Sequence, residues 1–205
     1  MARNFFNPEG LIWKPLGQLG ELVLLSLLWG ICSIPLVTLG PATAALYDCV
    51  VHSVRRGEGE PFSRFWRTFR AELKTGIPAT LLWAAVLGAL FFLRALLMRR
   101  LGYAGAGGAV GMATLVLLLV PTGMACWVFP LLSRFTFTFA ALNAAAVRLA
   151  LGHILRTLAL ALLTLLGAEL CLRYTSPLIF TPGLIALLWS FLLEPVFAQY
   201  TDKTE

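Results

Sequence analysis

Residues 76 to 97 run for 22 positions with Arg94 as the only charge. An α-helix rises about 1.5 Å per residue, so a run of this length crosses the roughly 30 Å hydrocarbon core of a bilayer. Four further stretches, residues 19–34, 109–132, 154–172 and 178–198, are nearly as apolar. The pattern predicts an all-α, polytopic transmembrane helical bundle with five full spans, and the lipid bilayer is its first partner.

The composition agrees. Only 13% of the 205 residues are charged, against about 25% in ordinary soluble domains. No long polar stretch leaves room for a separate soluble domain, so residues 1–205 read as a single integral membrane domain. The net charge of +6 is better explained by Lys and Arg collecting in cytoplasmic loops than by nucleic acid. A start-of-chain signal peptide is not expected: Arg3, Lys14 and the Ala42-Thr43-Ala44 triplet imitate one, but residues 19–39 exceed the usual h-region of about 7–15 residues.

The chain offers little chemistry. Cys32, Cys49, Cys126 and Cys171 lack C-x-x-C spacing, and the only histidines, His52 and His153, fall in different segments. Neither a metal, a disulfide nor a cofactor is expected from such spacing. There is no H-E-x-x-H, G-x-S-x-G, P-loop or Rossmann glycine pattern, so the protein is not expected to be an enzyme.

The informative region precedes the long apolar run. Pro35 stops the first segment, and Gly40-Pro41 marks a second break before residues 42–54. Pro41 suits the first turn of a new helix, where its missing N–H is harmless. Pro35 disrupts the first helix, Thr38 can bond freed carbonyls, Gly40 permits a tight turn, and Ala42, Ala44 and Ala45 allow close helix packing. A short returning helix shielded by protein is the expected result, since irregular backbone is not tolerated against lipid. Asp48 and His52 stand four apart on that helix and can meet. Pro35, Thr38, Gly40, Pro41, Asp48 and His52 are therefore the candidate polar or hinge site.

After the polar turn at residues 55–61, Phe62, Phe65, Trp66, Phe69 and Leu73 follow helical spacing while Arg64, Arg67, Arg70 and Lys74 take other faces. This predicts an amphipathic interfacial helix over residues 62–74, with Phe62, Arg64, Phe65, Trp66, Arg67, Phe69 and Arg70 as candidate contact residues. The glycines of residues 102–108 predict a flexible loop, and residues 133–152 predict a helix leaving the membrane or lying along it. Glu169 and Arg173 are expected to pair at the interface, and Glu21, Arg94 and Glu194 to reach it. A faint echo at an offset of 78 places Arg70 and Arg148 alike ahead of an apolar span.

Charge sets the orientation. If residues 42–54 return to the starting side, the sixteen Lys and Arg divide twelve to four. The positive-inside rule then places both termini in the cytoplasm.

The stretch from Ser33 to Tyr47, SIPLVTLGPATAALY, resembles the YesL-like family of uncharacterised bacterial integral membrane proteins, which carry a P-x-V-T-x-G motif at the end of the first membrane helix. Arg56 to Gly59, Phe65 to Arg70, Phe129 to Phe135 and the stretch around residues 149–157 are similar too. Glu72, Leu73 and Asp48 depart from the family's usual residues. The resemblance implies a bacterial cytoplasmic membrane protein without established activity, accessory to carbohydrate transport and partnered by membrane transporter subunits. The alternative left by the residues is a small transporter or channel using the broken-helix region 35–52.

Overall fold

The computed structural model describes residues 13–102, 106–174 and 179–201. Helix α1 (Trp13–Cys32) ends where Pro35 enforces extended backbone, and a single 3₁₀ turn (Leu36–Thr38) leads into α2 (Leu39–Cys49). The Thr38 hydroxyl donates to the carbonyls of Cys32 and Pro35 at 2.6 and 2.7 Å, tying off oxygens that the interrupted helix frees. The chain then doubles back: Trp29 Nε1 donates to Thr43 Oγ1, and Gln18 Nε2 to the Val54 carbonyl. This antiparallel hairpin is the expected returning helix.

Nine of the eleven residues of α2 are buried. The helix runs on without a break into a π-helix (Val50–Arg55), whose wider turn keeps Val50 to Val54 buried as well. Leu22 and Leu25 of α1 and Phe65 and Phe69 of the next helix enclose this region in one apolar cluster.

Helix α3 (Pro61–Leu101) corrects the expectation of a separate interfacial helix. Residues 62–74 and the apolar run at 76–97 form one 41-residue rod, with Pro78 accommodated inside it. Its length is about 61 Å, twice the hydrocarbon thickness, and a tilt of up to about 40° still leaves part of it outside. The apolar run matches the core. Residues 61–75 are therefore the part that emerges.

Along α3 the α2 hairpin arm reaches from Pro61, which accepts from Cys49 Sγ, to Thr80, beside Gly40. A Cβ on Gly40 would fall 2.0 Å from Thr80 Oγ1 and 2.5 Å from Phe129, so glycine is what lets α2, α3 and α4 converge. Gly40→Ala should therefore destabilise the fold by about 1–3 kcal/mol, the usual cost of overpacking. An unchanged thermal unfolding midpoint in detergent would contradict this.

Helix α4 (Ala106–Arg134) pairs antiparallel with α3, with Gly111 near Met98 at one end and Leu132 near Gly76 at the other. Gly107 and Gly108 are helical, so part of the glycine stretch expected as a loop belongs to α4, while residues 103–105 lie outside the described residues. Helix α5 (Phe139–Gly152) is linked to α3 by a hydrogen bond from Trp83 Nε1 to Asn143 Oδ1. A non-helical His153 separates it from α6 (Ile154–Arg173). Residue 70 runs into its span unbroken whereas residue 148 does not, so the echo at an offset of 78 is not repeated in the backbone. Helix α7 (Thr181–Thr201) closes the bundle. Its core centres on the fully buried Trp127, which donates to Thr157 Oγ1 and meets Phe197 edge-on.

The fold is all-helical among the described residues, and four helices are long and apolar enough to cross a membrane: α3, α4, α6 and α7. The first apolar segment, expected as a fifth span, lies in α1, with Gly17–Cys32 as a shorter apolar helix beside the four candidate spans among the described residues.

Candidate functional site

Consecutive residues on a helix point about 100° apart. Tyr47 and Asp48 of α2 use that angle to enter two different polar clusters. Asp48 meets α3: its carboxylate accepts from Arg64 Nε at 3.0 Å and from Thr68 Oγ1 at 2.9 Å. His52 Nδ1 lies 2.9 Å from Asp48 Oδ1. Both residues are buried, at 7% and 9% exposure, so the pair foreseen from their spacing exists and is shielded by its partners. Arg64 completes the cluster through its second bond, to Glu58 at 3.0 Å. Glu58 lies in the turn that ends at Glu60, a residue held at φ 65, where non-glycine residues are uncommon.

Tyr47 faces α7 instead. Its hydroxyl donates to Glu194 Oε1 at 3.1 Å, and Arg134 of α4 forms a two-pronged bond to the same carboxylate. A fork of this kind is the strongest carboxylate geometry arginine offers. Burial, reinforced by the Glu194 carboxylate, pushes the Tyr47 phenol above its ordinary value and keeps it a donor; α2 is not among the four candidate spans. Arg56 approaches Glu194 at 3.8 Å, while Arg55 donates to the Ser190 carbonyl and lies over the Phe191 ring. The π-helix thus supplies Arg55 to α7, and Arg56 follows at its end, just as α3 supplies Arg64 to α2.

Residues 22–93 match the family described as protein of unknown function, DUF624. That is about a third of the chain, from α1 through the reversal and α2 into the apolar half of α3. The DUF624 match contains the whole Asp48 cluster, whereas Arg134, Ser190 and Glu194 lie beyond it. No curated protein and no solved structure matches the chain.

The two halves of the polar site expected from sequence lie apart within the matched residues 22–93. Pro35, Thr38, Gly40 and Pro41 occupy one end of α2, where they make the reversal and its packing, and Asp48 and His52 occupy the other. The aromatic stripe also divides. Phe65 and Phe69 pack inward, Phe62 and Trp66 are exposed, and Arg70 lies over the Trp66 ring. Arg64 turns inward to Asp48, leaving Arg67 and Arg70 on the outer face.

Sequence places Glu194 only as reaching the interface and does not give its pairing with Arg134, 60 residues away. The available signal was an acidic residue inside the apolar run of α7, since an ionisable group at such a position needs a partner. Glu169 and Arg173 do pair, at 2.7 Å and well exposed, as their spacing suggests. Among the described residues no three His, Cys, Asp or Glu side chains cluster as metal ligands would. Both carboxylates are instead held by arginines, an arrangement that clamps helices together.

Proposed function

We propose that the chain is a multi-pass protein of the bacterial cytoplasmic membrane that works by interaction, as an accessory partner of a transport system. The observation that carries this reading is the outer face of α3. Phe62, Trp66, Arg67, Arg70 and Lys74 are exposed along one side of the segment that emerges from the apolar run. No carboxylate among the described residues pairs with Arg67, Arg70 or Lys74. Trp66 stands ten residues before Gly76, about 15 Å along the helix, which exceeds the headgroup layer of roughly 5–8 Å on each side. An acidic cytoplasmic segment of a membrane transporter subunit is the occupant that fits this face by charge.

The twelve-to-four charge division, which includes Arg3 and Lys203 outside the described residues, favours cytoplasmic termini and a cytoplasmic position for this face. The YesL-like resemblance adds carbohydrate uptake as the type of transport, by association alone. The alternative, a small transporter or channel through residues 35–52, calls for a polar route beside Thr38 and Asp48. The cavity of about 320 Å³ between the helices has neither residue in its wall, nor any charged one.

A photocrosslinking residue placed at Trp66 in native membranes should capture a transporter component, and R67E/R70E should reduce that product at least tenfold. The same probe at Leu155, which is 80% exposed on α6, serves as the reference. Crosslinks from position 66 to lipid alone would count against the reading.

A further inference from the structure

Arg94 is the single charge of the apolar run at residues 76–97, and nothing in the fold neutralises it. Among the described residues no carboxylate forms an ion pair with it. Its Nε is enclosed by protein and bonded to nothing, whereas Nη1 and Nη2 are equally unbonded but open. Arg94 walls a notch of about 20 Å³ with Leu90 and Leu93 of α3 and Thr114, Leu117 and Leu118 of α4. The hydroxyl of Thr114 is spent on the Val110 and Gly111 carbonyls of its own helix, so the notch holds a cation and no competing anion. Leu93 and Leu117 are exposed, which opens the notch to the outer surface of the bundle. Depth is set by the helix: Arg94 stands three residues before Leu97, about 4.5 Å inside the end of the run, and Leu90 lies about 6 Å deeper. The helix that carries Arg94 is also the least covered of the candidate spans, with 11% of its apolar window buried against 61% for α4.

We infer that this notch is an intramembrane docking site for a partner's transmembrane helix that carries one aspartate or glutamate. An ionised group inside a span is costly and is met by a partner of opposite charge. A carboxylate supplies that charge and accepts from Nη1 and Nη2 together, the two-pronged geometry that arginine favours. The size of the notch agrees: a water needs about 10–15 Å³ of such space, so the notch admits the oxygens of a carboxylate and not a lipid headgroup. Its depth agrees as well, because the wall runs from Arg94 toward the bilayer centre, away from the phosphate layer. The leucines on either side offer an apolar flank against which a second helix packs. The inference rests on the accessory reading only in taking that helix to belong to a transporter subunit.

Model helices test this with the full chain, labelled with an acceptor fluorophore and reconstituted in phosphatidylcholine vesicles. The probes are donor-labelled transmembrane peptides of leucine and alanine that carry one glutamate, glutamine or lysine two turns from one end. By energy transfer, wild type should bind the glutamate peptide about tenfold more tightly than the glutamine peptide, as a hydrogen bond to a charged group provides. Arg94→Gln should abolish that preference. Arg94→Glu should reverse it in favour of the lysine peptide, a result that a loss of folding cannot produce. A wild type indifferent to glutamate, or a preference retained in Arg94→Gln, would overturn the site. A preference that vanishes when phosphatidylglycerol is added would give Arg94 to lipid phosphate and overturn it too. The accessory reading fails separately: a glutamate preference without a transporter crosslink from position 66 supports the docking site and removes the transporter as its partner, whereas the crosslink without the preference leaves that reading standing and removes the site.

Discussion

Glu194→Ala should destabilise the protein by about 3–5 kcal/mol, the cost of removing one partner from a buried ion pair. The reason is what remains. Arg134 and Tyr47, with Glu194 and Arg134 side chains 17% and 19% exposed, would lose the carboxylate that both address. Three helices, α2, α4 and α7, share this one carboxylate. The thermal midpoint in detergent should fall by roughly 6–20 °C, taking about 2–4 °C per kcal/mol for a chain of this size. The double variant Glu194→Leu/Arg134→Met should recover most of the loss, because an apolar replacement of both partners leaves no stranded charge. A single variant as stable as wild type, or a double variant worse than the single, would mean that the fork does not hold these helices.

The second large effect is expected at Asp48. Asp48→Ala should cost about 3–5 kcal/mol by the same logic, since Arg64, Thr68 and His52 all converge on one buried carboxylate. Asp48→Asn separates charge from hydrogen bonding. The amide oxygen can still accept from Thr68 or Arg64, and Glu58 continues to neutralise Arg64 at 3.0 Å. Its cost should accordingly be about half that of alanine. Chemical denaturation monitored by tryptophan fluorescence distinguishes the two. Equal losses for alanine and asparagine would assign the whole effect to charge, and no loss in either would remove Asp48 from the set of residues that hold α2 against α3.

What the sequence reveals and what it hides follow from the range of the interactions. Apolar length is a local property, so the four long spans are readable directly, and so is the Asp48–His52 pair, because a helix brings positions four apart together. The reversal at Pro35 to Pro41 is equally local: a missing N–H and a missing Cβ act where they stand. Arg64 on Asp48 requires the path of the chain between α2 and α3, and Arg134 on Glu194 joins residues 60 apart. No periodicity contains that information. The aromatic stripe is an intermediate case. Spacing places Phe62, Phe65, Trp66 and Phe69 on neighbouring ridges, but only the position of α1 and α2 decides that Phe65 and Phe69 turn in. The continuity of α3 was hidden for a related reason, since a change in composition near Gly76 looks like a boundary although the backbone crosses it undisturbed.

The wide turn at Val50–Arg55 has a geometric consequence. A helix that incorporates one π turn holds one residue more than the same path in α geometry. Everything after it is rotated by about 100° relative to an uninterrupted helix. In this chain that rotation is what aims Arg55 at Phe191 and the Ser190 carbonyl while Asp48, before the turn, keeps its aim at Arg64. A variant lacking one residue of this stretch should therefore keep Asp48 on Arg64 and lose Arg55 from Phe191 and the Ser190 carbonyl, so the length of this segment decides whether α2 joins both clusters.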